Sequence, residues 1–336
     1  MHVNCVGDRK MADAILDVKG LKKYFPVSRG IFSRGKDYIR AVDNLDFQVS
    51  KHESLGLVGE SGCGKSTTGK VILRLIEPTD GRVVFEGRDV FELSENEMKK
   101  LRRDVQMVFQ DPFTALDPKM TVGKLVEEPL IIHDLASDAE RKKFASEALQ
   151  KVGLDQEGIY ERFPHEFSGG QRQRIAIARV LVLNPRFIVA DEPVSALDVS
   201  VRAQILNLFQ NLKKELGLTY LFIAHDLSAI RYLCDRVAVM YLGKIVEIGP
   251  TALVFNEPKH PYTKALLSAI PIPDPRHVPR RLVLQGDVPS PINLPSGCRF
   301  RTRCPIVTPE CGVEEPTLIT DEYERSIACH LPMEKA

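Results

Sequence analysis

GESGCGKST (residues 59–67) follows the apolar run SLGLVG (54–59), precedes a helical stretch, and fits the pattern G-x-x-x-x-G-K-[ST]. Glycines at this spacing let consecutive backbone N–H groups, from Gly62 to Thr67, wrap a phosphate. The N-terminus of the following helix adds positive potential at the same point. In such a loop Lys65 reaches the β- and γ-phosphates and the Ser66 hydroxyl binds Mg²⁺. Gly59, Glu60, Ser61, Gly62, Cys63, Gly64, Lys65, Ser66 and Thr67 are therefore the first candidates for a nucleotide site, with Cys63 a small spacer rather than a nucleophile. A Gly-rich turn with an exposed lysine is the plainer alternative, and it does not explain the strand–loop–helix context.

Outward from this loop, near-continuous apolar runs recur at VQMVF (105–109), RFIVA (186–190) and TYLFIA (219–224). Runs of this kind, separated by helical segments, fit strands buried on both faces of a largely parallel sheet. Upstream, AILDVKGLKKYF (14–25) and AVDNLDFQV (41–49) read as strands split by a polar, Gly-containing insertion. VRAQILNLFQNLKKELG (201–217) places Ile205, Leu208, Phe209, Leu212 and Leu216 on one helical face. Between Gln110 and Gly169 the pattern turns helical and charged, as an inserted helical subdomain would. After about residue 251 prolines multiply, the mark of a loop-rich appendage.

Composition narrows the function classes. Apolar and charged fractions of 43% and 27% are those of an ordinary globular chain. Lys+Arg 46 against Asp+Glu 45 leaves no global basic footprint, which argues against a nucleic-acid binder. No apolar run is long enough to span a bilayer, and MHVNCVGDRKMADA has no secretory h-region. A cytosolic chain is expected, starting at Met1 or Met11, in which disulfides would be rare.

Two further motifs extend the nucleotide chemistry. FIVADE (187–192) is an apolar strand ending in two carboxylates: Asp191 can hold Mg²⁺ through water, and Glu192 can orient or deprotonate an attacking water. Buried strands often end in acids, so its weight comes from its place after the phosphate loop. FSGGQRQRIAIARVLV (167–182) offers Ser168 as a helix N-cap, with Gly169 and Gly170 permitting close backbone approach to an anion. A capped helix that merely packs its apolar face is the alternative.

Taken together, GESGCGKS, VFQDP with Gln110, FSGGQ, VADE, SALD (195–198) and IAHD with His225 resemble the ATP-binding-cassette (ABC) ATPases over most of residues 14–255. Phe167, where Leu is usual, leaves the Ser-Gly-Gly-Gln core intact. The resemblance implies an α/β fold, a RecA-like P-loop NTPase cassette with an N-terminal antiparallel β subdomain and an inserted helical subdomain at about 111–180. It implies residues 1–12 as a disordered extension, 13–255 as the ATPase domain and 256–336 as a small Cys/Pro-rich C-terminal extension. It also implies head-to-tail dimerisation, each ATP lying between one subunit's phosphate loop and the other's Ser168, Gly169, Gly170, Gln171 and Asp198. Lys65 and Ser66 act in cis, Ser66, Gln110 and Asp191 serve Mg²⁺, and Glu192, His225 and Gln110 are catalytic. An aromatic stacks on adenine; Phe25 aligns better, with Tyr24 the alternative.

FPVSRGIF (25–32) with GESGCGKST suggests the second of two paralogous subunits, and three features narrow the resemblance to ATPase subunits of dipeptide and oligopeptide importers. They are the insertion SRGIFSRGKDYIRAVDNL (28–45), the segment KHPYTKALLSAIP (259–271) and the cysteine tail. On this reading the partners are a paralogous ATPase, two membrane permease subunits and an extracytoplasmic substrate-binding protein, at the cytoplasmic face of the cell membrane. Nickel, glutathione and glycan importers use similar ATPases, and a soluble ABC ATPase acting on nucleic acid is the different-class alternative. By its residues alone KHPYTKALLSAIP is a surface helix starting at Pro261.

The tail carries Cys298, Cys304, Cys311 and Cys329, spaced C-x5-C-x6-C-x17-C, four of seven cysteines in the chain. Tetrahedral zinc sites use paired C-x2–4-C knuckles, which this lacks. Four thiolates can hold an iron–sulfur cluster, with Arg299, Arg301 and Arg303 offsetting its negative charge. Importer ATPases of the resembling type carry a [4Fe–4S] cluster in this extension. Zinc and unliganded thiols remain the alternatives.

Overall fold

Glu95–Asp104 (α2) opens on a reciprocal cap: Ser94 accepts from the Glu97 N–H, and Glu97 accepts from the Ser94 N–H. The computed structural model that shows it describes residues 14–27, 37–270, 282, 284 and 286–333. The expected N-terminal extension (1–12) and residues 28–36 of the polar insertion lie outside that range. The described chain divides into two units, one built from Ser50–Ser54 and Glu92–Ile223, the other from Ala14–Val49, Leu55–Phe91 and everything from Ala224 onward.

In the first unit the strands Val105–Val108 (β6), Phe187–Asp191 (β7) and Thr219–Ile223 (β8) run parallel, with Val105 opposite Phe187 and Asp191 opposite Ile223. Every residue of β7 and β8 is buried, which accounts for their unbroken apolar sequences. Besides α2, its longer helices are Val122–Ile132 (α3), Asp138–Lys151 (α4), Gly169–Leu181 (α5) and Val199–Leu216 (α6). The buried face of α6 is Ile205, Leu206, Leu208, Phe209 and Leu212. Leu216, expected on that face, is exposed at the last turn, and Leu206 takes its place. Phe209 stands edge-on to Tyr220 and Phe222 at 5.6 and 5.5 Å between centroids, fixing α6 to β8.

The second unit holds an antiparallel sheet of Ala14–Val27 (β1), Asp37–Ser50 (β2), Asp80–Phe85 (β4) and Arg88–Asp89 (β5), in the order β2-β1-β4-β5. It also holds Ser54–Val58 (β3), which pairs in parallel with Arg236–Tyr241 (β9). Lys244–Pro250 (β10) returns antiparallel on β9, and the tail adds Ile319–Thr320 (β11) and Ser326–Ile327 (β12), with β12 on β10. The longer helices of this unit are Lys65–Ile72 (α1), Leu227–Leu233 (α7), Thr251–Asn256 (α8) and Pro261–Ser268 (α9).

The helix α9 is not the surface helix its sequence suggests. Pro261, Tyr262, Thr263 and Ala265 are buried. Its N-terminus is held by Glu247 of β10, itself 0% exposed, whose carboxylate accepts from the N–H groups of Lys259 (3.0 Å) and His260 (2.9 Å). His260 caps the helix, its Nδ1 accepting from the Tyr262 N–H at 3.1 Å. Burial pushes the His260 pKa down to about 3, so the ring is a neutral acceptor at physiological pH.

Candidate nucleotide site

Two groups of residues carry the nucleotide motifs, one in each unit. In the second unit the buried strand β3 delivers the chain into the phosphate loop, and α1 begins at Lys65. Gly64, the residue before the helix, has φ 109°, and a Cβ there would meet the Ala41 carbonyl oxygen at 1.9 Å. Lys65 is only 5% exposed; its ammonium donates to the carbonyls of Gly59 at 2.8 Å and Glu60 at 3.0 Å. The first turn of α1, with Ser66 and Thr67, contains no acidic residue, so its N–H groups keep their positive potential. Burial pushes the Cys63 thiol up, against the pull of Lys65, which suits a packed spacer and not a nucleophile.

Glu60 is bound from every side. Its N–H donates to the Tyr262 hydroxyl at 2.9 Å, and its carboxylate accepts from Arg303 at 2.8 and 3.0 Å. Its carbonyl holds Lys65. Neither Tyr262 nor Arg303 was a sequence candidate for this loop; Arg303 was expected to serve the cysteines, from its place in an Arg-x-Arg-x-Arg run beside Cys304.

At the aromatic position Tyr24 and Phe25 are both half-buried. The Tyr24 hydroxyl donates to Asp43, and the Arg40 guanidinium lies 5.7 Å over its ring. Burial and then Asp43 raise the Tyr24 pKa to about 12. Burial works against the Asp43 carboxylate, but Tyr24 and Arg299 hold its pKa below the usual range. The Phe25 ring has the Lys23 ammonium 5.0 Å away and is the less committed of the two. His225, also in this unit, is exposed just ahead of α7.

In the first unit Asp191 is buried at the end of β7, and Glu192 follows it in the left-handed region, φ 47°. Glu192 is held there: its N–H donates to the Ile223 carbonyl at 2.9 Å, and its own carbonyl accepts from the Ser195 hydroxyl at 3.0 Å. Strained backbone of this kind persists where the surroundings fix it, and it aims the side chain. The Gln110 amide donates to the Glu192 carboxylate at 3.1 Å, so two residues 82 apart in sequence meet. Ser168 and Gln171 form a reciprocal cap on α5 at 3.0 and 3.4 Å. Gly170 is required by packing, since a Cβ there would fall 2.3 Å from Val201 of α6; Gly169 is half-exposed, and Asp198 is exposed at the start of α6.

The four tail cysteines, free of disulfides, line one narrow cavity in the second unit together with His260 and Leu331. Burial raises the pKa of Cys298, Cys304 and Cys329, to about 11 for Cys329, and neighbouring thiols add to each rise. Among the described residues no group of three or more His, Cys, Asp or Glu is placed to hold a single metal ion. The arginines are placed differently from the expectation. Arg299 donates to Asp43 and the Leu242 carbonyl, and Arg303 to Glu60; of the three, only Arg301 lines the cavity.

The comparisons with known proteins bear on both units. Residues 42–195 match the model of the ABC transporter family, and residues 246–311 match that of the oligopeptide/dipeptide transporter C-terminal region. The chain is 52% identical over 320 residues to the putative oligopeptide transport ATP-binding protein YkfD of Bacillus subtilis, covering 94% of this chain and 95% of that one. The chain belongs to the ABC family of oligopeptide-transport ATP-binding proteins. It is also 48% identical to the oligopeptide transport ATP-binding protein AppF of the same organism, over 95% of this chain and 98% of that one. The dimeric ATP-binding cassette MJ0796, solved in a post-hydrolysis state with ADP and Pi, superposes with a TM-score of 0.61 at 33% identity, over 70% of this chain and 98% of that one. The ABC cassette fold implied by the series of nucleotide motifs is thus the fold of this chain's family. Among the described residues no helix is long and apolar enough to cross a membrane.

Proposed function

We propose that this chain is the ATP-hydrolysing subunit of a peptide importer, and that its residues divide the work as follows. Lys65 and the α1 N-terminus neutralise the nucleotide phosphates, and Ser66, Gln110 and Asp191 serve Mg²⁺. Glu192, oriented by Gln110, polarises the attacking water, and His225 supports the γ-phosphate. Ser168, Gly169, Gly170, Gln171 and Asp198 serve the ATP of a second, paralogous ATPase subunit. ATP-driven closure of that pair would move two permease subunits at the cytoplasmic face of the membrane, with an extracytoplasmic binding protein selecting the peptide. The observation that carries this reading is the hydrogen bond from Gln110 to Glu192 in a chain with the peptide-transporter extension. Reconstituted in vesicles with its permease and binding protein, the chain is expected to hydrolyse ATP faster when a peptide is supplied outside. Stimulation by nucleic acid, with no association with a permease, would remove the importer reading.

The domain limits proposed are those read from the sequence, with the ATPase domain ending near 255 and the extension beginning near 256. For the extension we propose a [4Fe–4S] cluster held by Cys298, Cys304, Cys311 and Cys329. Four thiols on one cavity, three of them (Cys298, Cys304 and Cys329) pushed up in pKa by burial, suit such a group, which would supply the positive charge that keeps them as thiolates. In such a cluster each thiolate would bind a different iron, and the C-x5-C-x6-C-x17-C spacing lacks the paired C-x2–4-C knuckles of zinc sites. The role is a structural clip for a Pro-rich segment. Protein purified without oxygen is expected to be brown with about four irons per chain, and Cys329→Ser to bleach it. A colourless, iron-free chain would end the assignment.

A further inference from the structure

The extension also reaches the phosphate loop. Phe300 is buried among three aromatic rings, 5.3 Å from Tyr241, 5.4 Å from Tyr262 and 5.6 Å from His260 between centroids. Tyr241 and Tyr262 lie 4.7 Å apart between centroids, their rings tilted by 58°. This cluster fixes the Tyr262 hydroxyl under the Glu60 N–H and leaves Arg303, three residues past Phe300, against the Glu60 carboxylate. The Arg303 side chain is 8% exposed and that of Glu60 27%, and the guanidinium lies 5.9 Å from the Tyr241 ring centroid, so the pair is partly shielded from water.

We propose that Arg303 and Tyr262 are positioning residues of the phosphate loop, setting its affinity for nucleotide through Glu60. This rests on reading the loop as the ATP site. Glu60 uses its carbonyl to hold Lys65, so whatever fixes Glu60 also fixes the point from which Lys65 departs. A loop already ordered by its neighbours loses less conformational entropy on binding, and the gain appears as affinity. The partner of the Glu192 carboxylate is Gln110, within its own unit, and the proposal leaves that pair untouched, so kcat should be unmoved. Arg299, in the same turn, is a different case: its partner Asp43 is buried, and its loss would strand that charge and destabilise the unit.

The test is ATP titration of the full chain by calorimetry, with KM and kcat measured in the assembled importer. Arg303→Ala is expected to raise the ATP Kd about 10-fold, the equivalent of one charge-assisted hydrogen bond, with kcat within about twofold. Tyr262→Phe, which keeps the ring in its cluster, should raise Kd about fivefold. Combining Arg303→Ala with Glu60→Gln should add little to the single change, because both remove one interaction. If Arg303→Ala fails to fold, Tyr262→Phe decides alone. A Kd within twofold of wild type in the folded variants, or a fall in kcat at constant Kd, overturns the proposal. Failure of the wild-type chain to bind ATP would instead sink the ATP reading.

Discussion

Glu192→Gln is expected to lower ATP turnover by about 100-fold to 10,000-fold while ATP binds with near-normal affinity. The substitution keeps the size of the side chain and an oxygen to accept the Gln110 amide, now 3.1 Å from the carboxylate. It also keeps the backbone demand, since both residues must sit at φ 47° under the same two hydrogen bonds. Only the negative charge goes, and with it the capacity to take a proton from water. Binding uses the loop in the other unit, so an unchanged Kd with a collapsed kcat separates the two roles. Bound ATP that cannot be cleaved should also hold the pair of cassettes closed, giving a larger species in size-exclusion chromatography with Mg·ATP. Turnover within about tenfold of wild type would take Glu192 out of its assigned role.

Glu192 also illustrates what the sequence made legible. A motif names the residue types that chemistry needs, so the phosphate loop and the apolar strands β6, β7 and β8 could be read directly. Strands buried on both faces announce themselves by composition, and so the α/β fold was legible from the loop outward. The φ 47° of Glu192 was not, because nothing in the residue type demands it. The β9–β10 hairpin stayed hidden for a related reason. Its two-residue turn, Leu242-Gly243, has both φ values positive, at 43° and 83°, and leucine there gives none of the Asn-Gly or Asp-Gly signal by which such turns are recognised. The arginines of the tail were misjudged because their partners Asp43 and Glu60 lie 256 and 243 residues away along the chain. Charge near a cysteine suggests service to the cysteine; only tertiary structure shows two guanidiniums turned elsewhere.

The glycines of the phosphate loop supply the second large effect, and they are not equivalent. Gly64→Ala is expected to weaken ATP binding about 100-fold or more, whereas Gly62→Ala should cost about 5- to 30-fold. Both have positive φ, 109° and 79°, so each alanine bears a backbone penalty of about 1–2 kcal/mol. Around Gly62 there is nothing within 4 Å of the new Cβ, and that penalty is the whole cost. At Gly64 the methyl would lie 1.9 Å from the Ala41 carbonyl oxygen and 2.8 Å from the Met240 methyl. The methionine tip can swing away, but the carbonyl belongs to β2 and cannot, so the loop must lift from the sheet. Lys65 and the α1 N–H groups would then leave their places together, and displacement of a binding group by about 1 Å is enough to cost two orders of magnitude. Calorimetric titration with ATP, beside thermal unfolding of each variant, measures both terms. Equal losses of affinity at the two positions would mean that the motif needs its glycines for flexibility alone, and the steric account of Gly64 would be wrong.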